Sequence, residues 1–233
     1  MKLKKDFRIK QFYTTLVFLL LTLPYGYSQK IYYQDIFYGG VTGAGFSTGI
    51  SYSGSGTFEI FIEPGSTIKK AFLFCNRFGS SPSTEIILNS ISYRFDISNQ
   101  IGKNYNTPDF TPIDSSAVHA IEITDNIIPS QLLYNITIPP QNNINFTRYG
   151  AVYLLIIYEN SSLPKIGISV LLNEKDAVFS VDYNIVELNK INNNNPVGFV
   201  VHTDILWDTI ADGSFIYLDT NLLGLIGGKD AVD

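Results

Sequence analysis

This chain of 233 residues has one cysteine, one methionine, one tryptophan and two histidines, and only 16% of its residues are charged. Each scarcity excludes something. Cys75 has no partner for an internal disulfide, so the fold must rest on its own apolar core. That cysteine and the distant His119 and His202 do not make the closely spaced donor set zinc requires. No Gly-x-Ser-x-Gly elbow accompanies the histidines, which leaves a serine hydrolase without its nucleophile turn. His119 lies in the stretch AVHAIEI, on the face shared with Ile121 and Ile123, and reads as a core or semi-buried side chain. The net charge is −5 and no basic stripe is present, so nucleic acid is not an expected partner. No phosphate-loop pattern occurs. The Gly-rich stretch 39–56 is expected to form turns rather than a regular element.

What is abundant points to sheet. There are 15 Tyr and 16 Phe, and 45% of the chain is hydrophobic, an aromatic richness that favours strands over helices. Beyond the first thirty residues the longest apolar run is Tyr149–Tyr158, YGAVYLLIIY, which fits a strand buried on both faces. Further strands are predicted at 31–38, 57–62, 68–76, 85–88, 91–97, 117–124, 132–138, 165–172, 177–185, 198–201 and 215–218. In the 91–97 segment Ile91, Tyr93, Phe95 and Ile97 should face inward. Asn89-Ser90 should turn a hairpin between the strands on either side. Residues 99–116 read as a long polar loop and 221–228 as a Gly/Leu-rich turn. Pro129 limits the best helical candidate, 127–134, to a turn. About 10 to 12 short strands and no long helix predict an all-β fold, an antiparallel β-sandwich or jelly roll.

The first residues carry Lys2, Lys4, Lys5, Arg8 and Lys10, then an apolar stretch over 12–23, then small residues Gly26 and Ser28. That order is a secretory signal peptide, cleaved near Ser28. The apolar stretch is about 12 residues, short of the roughly 20 a membrane span needs. The expectation is a signal peptide over 1–28 and a single β-sandwich domain over 29–233. The mature chain would have no membrane span and would reside outside the cytoplasm, secreted or at the cell surface.

Three stretches carry a resemblance. IKKAFLF at 68–74 is similar to the I-x-K-A-x-L-x-W strand of certain secreted bacterial β-sandwich domains. IILN at 86–89 resembles their v-x-l-N-G hairpin. YGAVYLLIIYEN at 149–160, followed by Leu163-Pro164, resembles their G-A-s-L-v-V-v-Y-e-N-x-x-L-P strand. This chain has Cys75 where the family has Trp, and Ser90 where it has Gly. Those domains sit near the N-termini of exported surface proteins and are domains of unknown function. The resemblance implies a sandwich fold, an extracytoplasmic place, and a C-terminal end that is either truncated or paired with a partner strand; it supplies no catalytic residues.

Candidate site residues follow from chemistry alone. Asp204, Asp208, Asp212 and Asp219 cluster around Trp207; such loops supply oxygen ligands to calcium, although the spacing matches no EF-hand. Trp207 suits either sugar stacking or the core. Trp207, Asp204, Asp208 and Asp212 are therefore the ligand-binding candidates; a solvated loop is the leading reading of the acids and no cofactor is expected, with calcium the one alternative. Glu59 and Glu122 on strands, and Glu85, Glu174 and Glu187 nearer turns, read as solvated faces. A two-carboxylate glycosidase or lyase on a jelly roll is the catalytic alternative. The leading expectation is an exported, non-catalytic module for surface adhesion, scaffolding, or protein or glycan binding.

Overall fold

The computed structural model describes residues 30–48, 53–78, 83–103, 116–140, 148–172, 214–218 and 221–226. Among them are twelve strands: β1 (Lys30–Ser47), β2 (Gly54–Glu59), β3 (Thr67–Phe78), β4 (Ser83–Leu88), β5 (Ile91–Asp96), β6 (Gln100–Lys103), β7 (Ser116–Glu122), β8 (Leu133–Ile138), β9 (Arg148–Glu159), β10 (Lys165–Leu172), β11 (Ser214–Leu218) and β12 (Asn221–Ile226). The fold is all-β. A six-stranded sheet in the order β10-β1-β9-β3-β7-β6 packs on a four-stranded sheet in the order β2-β8-β4-β5, and β11 pairs with β12. No helix among the described residues is long and apolar enough to cross a membrane.

The apolar run at 149–158 lies within β9, between β1 and β3. Alternation sends Val152, Leu154, Ile156 and Tyr158 into the inter-sheet core. There they meet Phe58, Ile60, Leu73, Ile86, Phe95, Tyr134 and Ile136, all fully buried. The opposite face of β9 is also covered: Leu155 and Ile157 belong to a second core with Phe37, Phe72, Phe74 and Ala120. The cover is β1 itself. The strand changes partner part-way, since residues up to Tyr38 pair with β10 and residues from Gly39 pair with β9. The Tyr38 carbonyl accepts from Asn160 N–H, whereas Gly39 N–H donates to the Pro164 carbonyl. These two groups of one trans peptide point to opposite edges of β1, which puts β9 and β10 on opposite sides of it. The first half of β1 then doubles back over β3, where the Tyr32 ring stands 5.4 Å from Phe72 and 5.5 Å from Phe74. The large sheet is thereby curled into a half-barrel.

Four sequence expectations are corrected. The Gly-rich stretch does hold regular structure: β1 runs to Ser47 and β2 starts at Gly54. Its glycines make room for tyrosines. A Cβ at Gly40 would enter the Tyr158 ring, and one at Gly43 would lie 2.5 Å from the Tyr153 hydroxyl. Part of the expected loop, Gln100–Lys103, is strand β6, paired with β7. The expected turn at 221–228 contains strand β12. In β5 only Tyr93 and Phe95 are buried; Ile91 is exposed at the hairpin end, and Ile97 is exposed because the chain turns into a 3-10 helix there. The predicted strands 177–185 and 198–201 lie outside the described residues, as does the predicted signal peptide over 1–28.

The β4–β5 hairpin turns at Asn89 (φ 49°) and Ser90 (φ 68°). Two positive φ angles in a two-residue loop favour Gly at the second position. Ser90→Gly is expected to stabilise the fold by about 0.5–1 kcal/mol, read as a higher urea midpoint at unchanged slope.

Candidate functional site

Two β-bulges shape the concave side of the half-barrel. In β1 the pairing with β10 steps from Ile31 to Tyr33, so Tyr32 is an extra residue. Both Tyr32 and Tyr33 then pack toward the second core. In β3 the pairing with β9 steps from Ile68 to Lys70, so Lys69 is extra. Ile68 packs on the inter-sheet core, while Lys69 and Lys70 both reach the concave side. Bulges of this kind re-aim side chains and recur beside functional sites.

The two lysines organise the rim. Lys69 Nζ lies 3.2 Å from Asp35 Oδ2, pairs with Glu159 Oε1, and sits 5.3 Å from the centre of the Phe37 ring. The Tyr33 hydroxyl donates to Asp35 Oδ2 at 3.0 Å, and Ile36 N–H donates to Oδ1 at 2.7 Å. Lys70 Nζ pairs with Glu122 Oε1 at 2.6 Å, and that oxygen also accepts from Thr124 Oγ1 at 3.0 Å. Burial favours the neutral form of Asp35, but the Ile36 N–H, Lys69 and Tyr33 outweigh it and hold the carboxyl below its ordinary range. Lys70 does the same for Glu122. Burial and the Asp35 hydrogen bond push the Tyr33 hydroxyl up to about 12. The rim therefore presents fixed carboxylate and ammonium charges beside two half-buried tyrosine rings.

A second polar cluster is interior. His119 on β7 is 1% exposed and packs 5.7 Å from the Tyr149 ring, centre to centre. Its Nδ1 faces two acceptors, the Asp96 carbonyl at 2.9 Å and Asn99 Oδ1 at 3.2 Å, so Nδ1 carries the proton. Nε2 is left to accept from Arg77 Nε at 3.4 Å. Burial, then the Arg77 charge, lower the His119 pKa to about 4. The ring is neutral, saturated with partners and sealed from solvent, which suits a structural pin rather than a proton-transfer group. Cys75, directly opposite it across the β3–β7 pair, is buried, and its thiol donates to the Asn76 carbonyl at 3.6 Å.

The sequence candidates distribute as follows. Asp204, Trp207, Asp208 and Asp212 lie outside the described residues, with Asp219, His202, Glu174 and Glu187. Glu59 and Glu85 are exposed on strands of the four-stranded sheet, while Glu122 is on the half-barrel rim. The strand glutamates are thus not brought together. Among the described residues no group of three or more His, Cys, Asp or Glu is placed to hold a metal ion. The rim residues Asp35, Lys69, Lys70 and Glu159 were not singled out as binding residues from the sequence. A signal existed: Lys69-Lys70 and Tyr32-Tyr33 are like residues in adjacent positions, which breaks the period-two pattern a bulge-free strand would keep. No protein family, curated protein or solved structure matches the chain significantly.

Proposed function

We propose that this chain is an exported, non-catalytic β-sandwich module of the bacterial cell surface, and that the half-barrel rim binds a glycan. The leader-like N-terminal pattern and the resemblance to secreted sandwich domains support the location. The paired bulges carry the binding reading, because they set two consecutive tyrosines and two consecutive lysines on one concave side. Half-buried aromatic faces beside a few oriented polar groups suit a ring with an apolar face and hydroxyl edges. A protein partner at the surface is compatible with the same module.

The catalytic alternative fits the rim less well. A two-carboxylate glycosidase needs one acid kept protonated at working pH. Asp35 and Glu122 are both held toward the ionised form.

The test is a glycan array followed by calorimetric titration of the best hit with the full chain. Lys70→Ala combined with Glu122→Ala is expected to weaken binding at least tenfold while the melting temperature stays within a few degrees, since the pair is partly exposed. Equal affinity in the double variant, or no glycan bound at millimolar concentration, overturns the reading.

A further inference from the structure

Near one end of the four-stranded sheet four large apolar side chains are exposed to solvent: Phe61, Ile128, Leu132 and Leu133, each between 55% and 59%. Phe61 and Leu133 share the outer face there, just past the end of β2 and at the start of β8. Leu133 pairs opposite Glu59, and Ile60 N–H donates to the Leu132 carbonyl at 2.8 Å, so Phe61 and Leu133 are diagonal neighbours. Ile128 is tied to the same place by the buried Tyr134, whose hydroxyl donates to the Ile128 carbonyl at 3.0 Å and accepts from its N–H at 3.1 Å. The side chains are thus held in place by a rigid scaffold and still left uncovered.

The described segments that carry them hold charge of one sign. Residues 53–68 and 123–140, which build this end of the sheet, contain Glu59, Glu63 and Asp125 and no Lys, Arg or His. On the rim, by contrast, Asp35 and Glu159 are matched by Lys69 and Glu122 by Lys70. An apolar centre with an unmatched acidic border is complementary to apolar side chains flanked by cations. It disfavours a second copy of this chain, because a two-fold contact would bring acids of one copy against acids of the other with no base between them.

We propose that this patch is a docking surface for a partner protein, engaged through apolar side chains flanked by lysine or arginine. Phe61 is the central anchor, since aromatic side chains dominate binding at such patches. Glu59, Glu63 and Asp125 set the orientation and the approach rate. Leu133 and Phe61 belong to the end of the four-stranded sheet and the rim lysines to the six-stranded one, so one copy can hold both ligands.

The experiment titrates the full chain with two labelled ten-residue peptides, one alternating leucine with lysine and one alternating leucine with glutamate. Fluorescence anisotropy is read at about 50 and about 500 mM salt, where screening lengths differ several-fold. The lysine peptide is expected to bind at least tenfold more tightly than the glutamate peptide and to weaken at the higher salt. Phe61→Ser with Leu133→Ser should abolish at least nine-tenths of that affinity with the circular dichroism spectrum unchanged. Glu59→Lys with Asp125→Lys should reverse the preference between the peptides. Equal binding of the two peptides, or lysine-peptide binding that survives in both double variants, overturns the proposal. So does a dimer in sedimentation that Leu133→Ser dissolves, because the occupant is then a second copy.

Discussion

Gly39→Ala is expected to destabilise the fold by roughly 3–5 kcal/mol, the sum of a steric clash and a strained backbone. Gly39 has φ +156° and stands where β1 exchanges β10 for β9. A Cβ there would collide with the Tyr158 carbonyl oxygen and lie 3.0 Å from both Glu159 Cα and a Phe37 ring carbon. Two of those three contacts are backbone, which cannot rotate away. Gly65 provides the control. It has φ +80° in an exposed turn, and nothing lies within 4 Å of the position a Cβ would take. Gly65→Ala should cost only about 1 kcal/mol, from backbone conformation alone. Urea unfolding of the two variants separates the effects: equal losses would mean that the collision at the β1 corner is absent. Because the corner also brings Tyr32 onto Phe72, the Gly39 variant should lose the near-ultraviolet aromatic signal before the far-ultraviolet strand signal.

Acidification from pH 7 to pH 4 is expected to remove about 3 kcal/mol of stability through His119 alone. Its ordinary value of 6.5 falls to about 4 in the fold, chiefly by burial and then by the Arg77 charge. Between those values the unfolded chain binds a proton that the folded chain does not, so stability rises with pH across this window. The contribution is complete above pH 6.5 and gone below about pH 4. Arg77, from β3, and the Asp96 carbonyl and Asn99, from the end of β5 and the turn after it, are the groups that face the ring. The carboxylates held below their ordinary range, Asp35 and Glu122, lose their stabilisation only at lower pH, as they protonate. Unfolding free energy measured by urea at half-unit intervals from pH 4 to 7.5 should therefore slope upward, and His119→Gln should flatten most of that slope. A flat profile in the unsubstituted chain would mean that His119 meets solvent.

The Lys69 and Lys70 rim pairs show where pattern reading stops. Either lysine alone would be read as a polar residue on an outward face. Whether Lys69 and Lys70 share a face depends on the extra residue in β3, and that extra residue is defined only against the register of β9. Asp35, Glu159 and Lys69 are brought together from β1, β9 and β3. No spacing along the chain encodes their meeting. The acids that the sequence did highlight as strand residues, Glu59 and Glu122, prove to be on different sheets.

Local patterning in the chain determined the strands whose alternation is clean. Phe58, Ile60 and Ile62, Tyr134, Ile136 and Ile138, and Val152, Leu154, Ile156 and Ile157 in β9 are all buried as their periods require. Residue chemistry likewise fixed the β4–β5 turn, and scarcity of ligating residues argued against zinc. Tertiary structure decided the rest. That β9 is covered on both faces follows from its apolar run, but that the second cover is the first half of β1 depends on the bend at Gly39. The Gly-rich stretch misleads by itself, because glycine lowers strand propensity where no partner is in view. Against β9 those glycines become the space that Tyr153 and Tyr158 fill, a contact between residues more than a hundred positions apart that local propensity does not register.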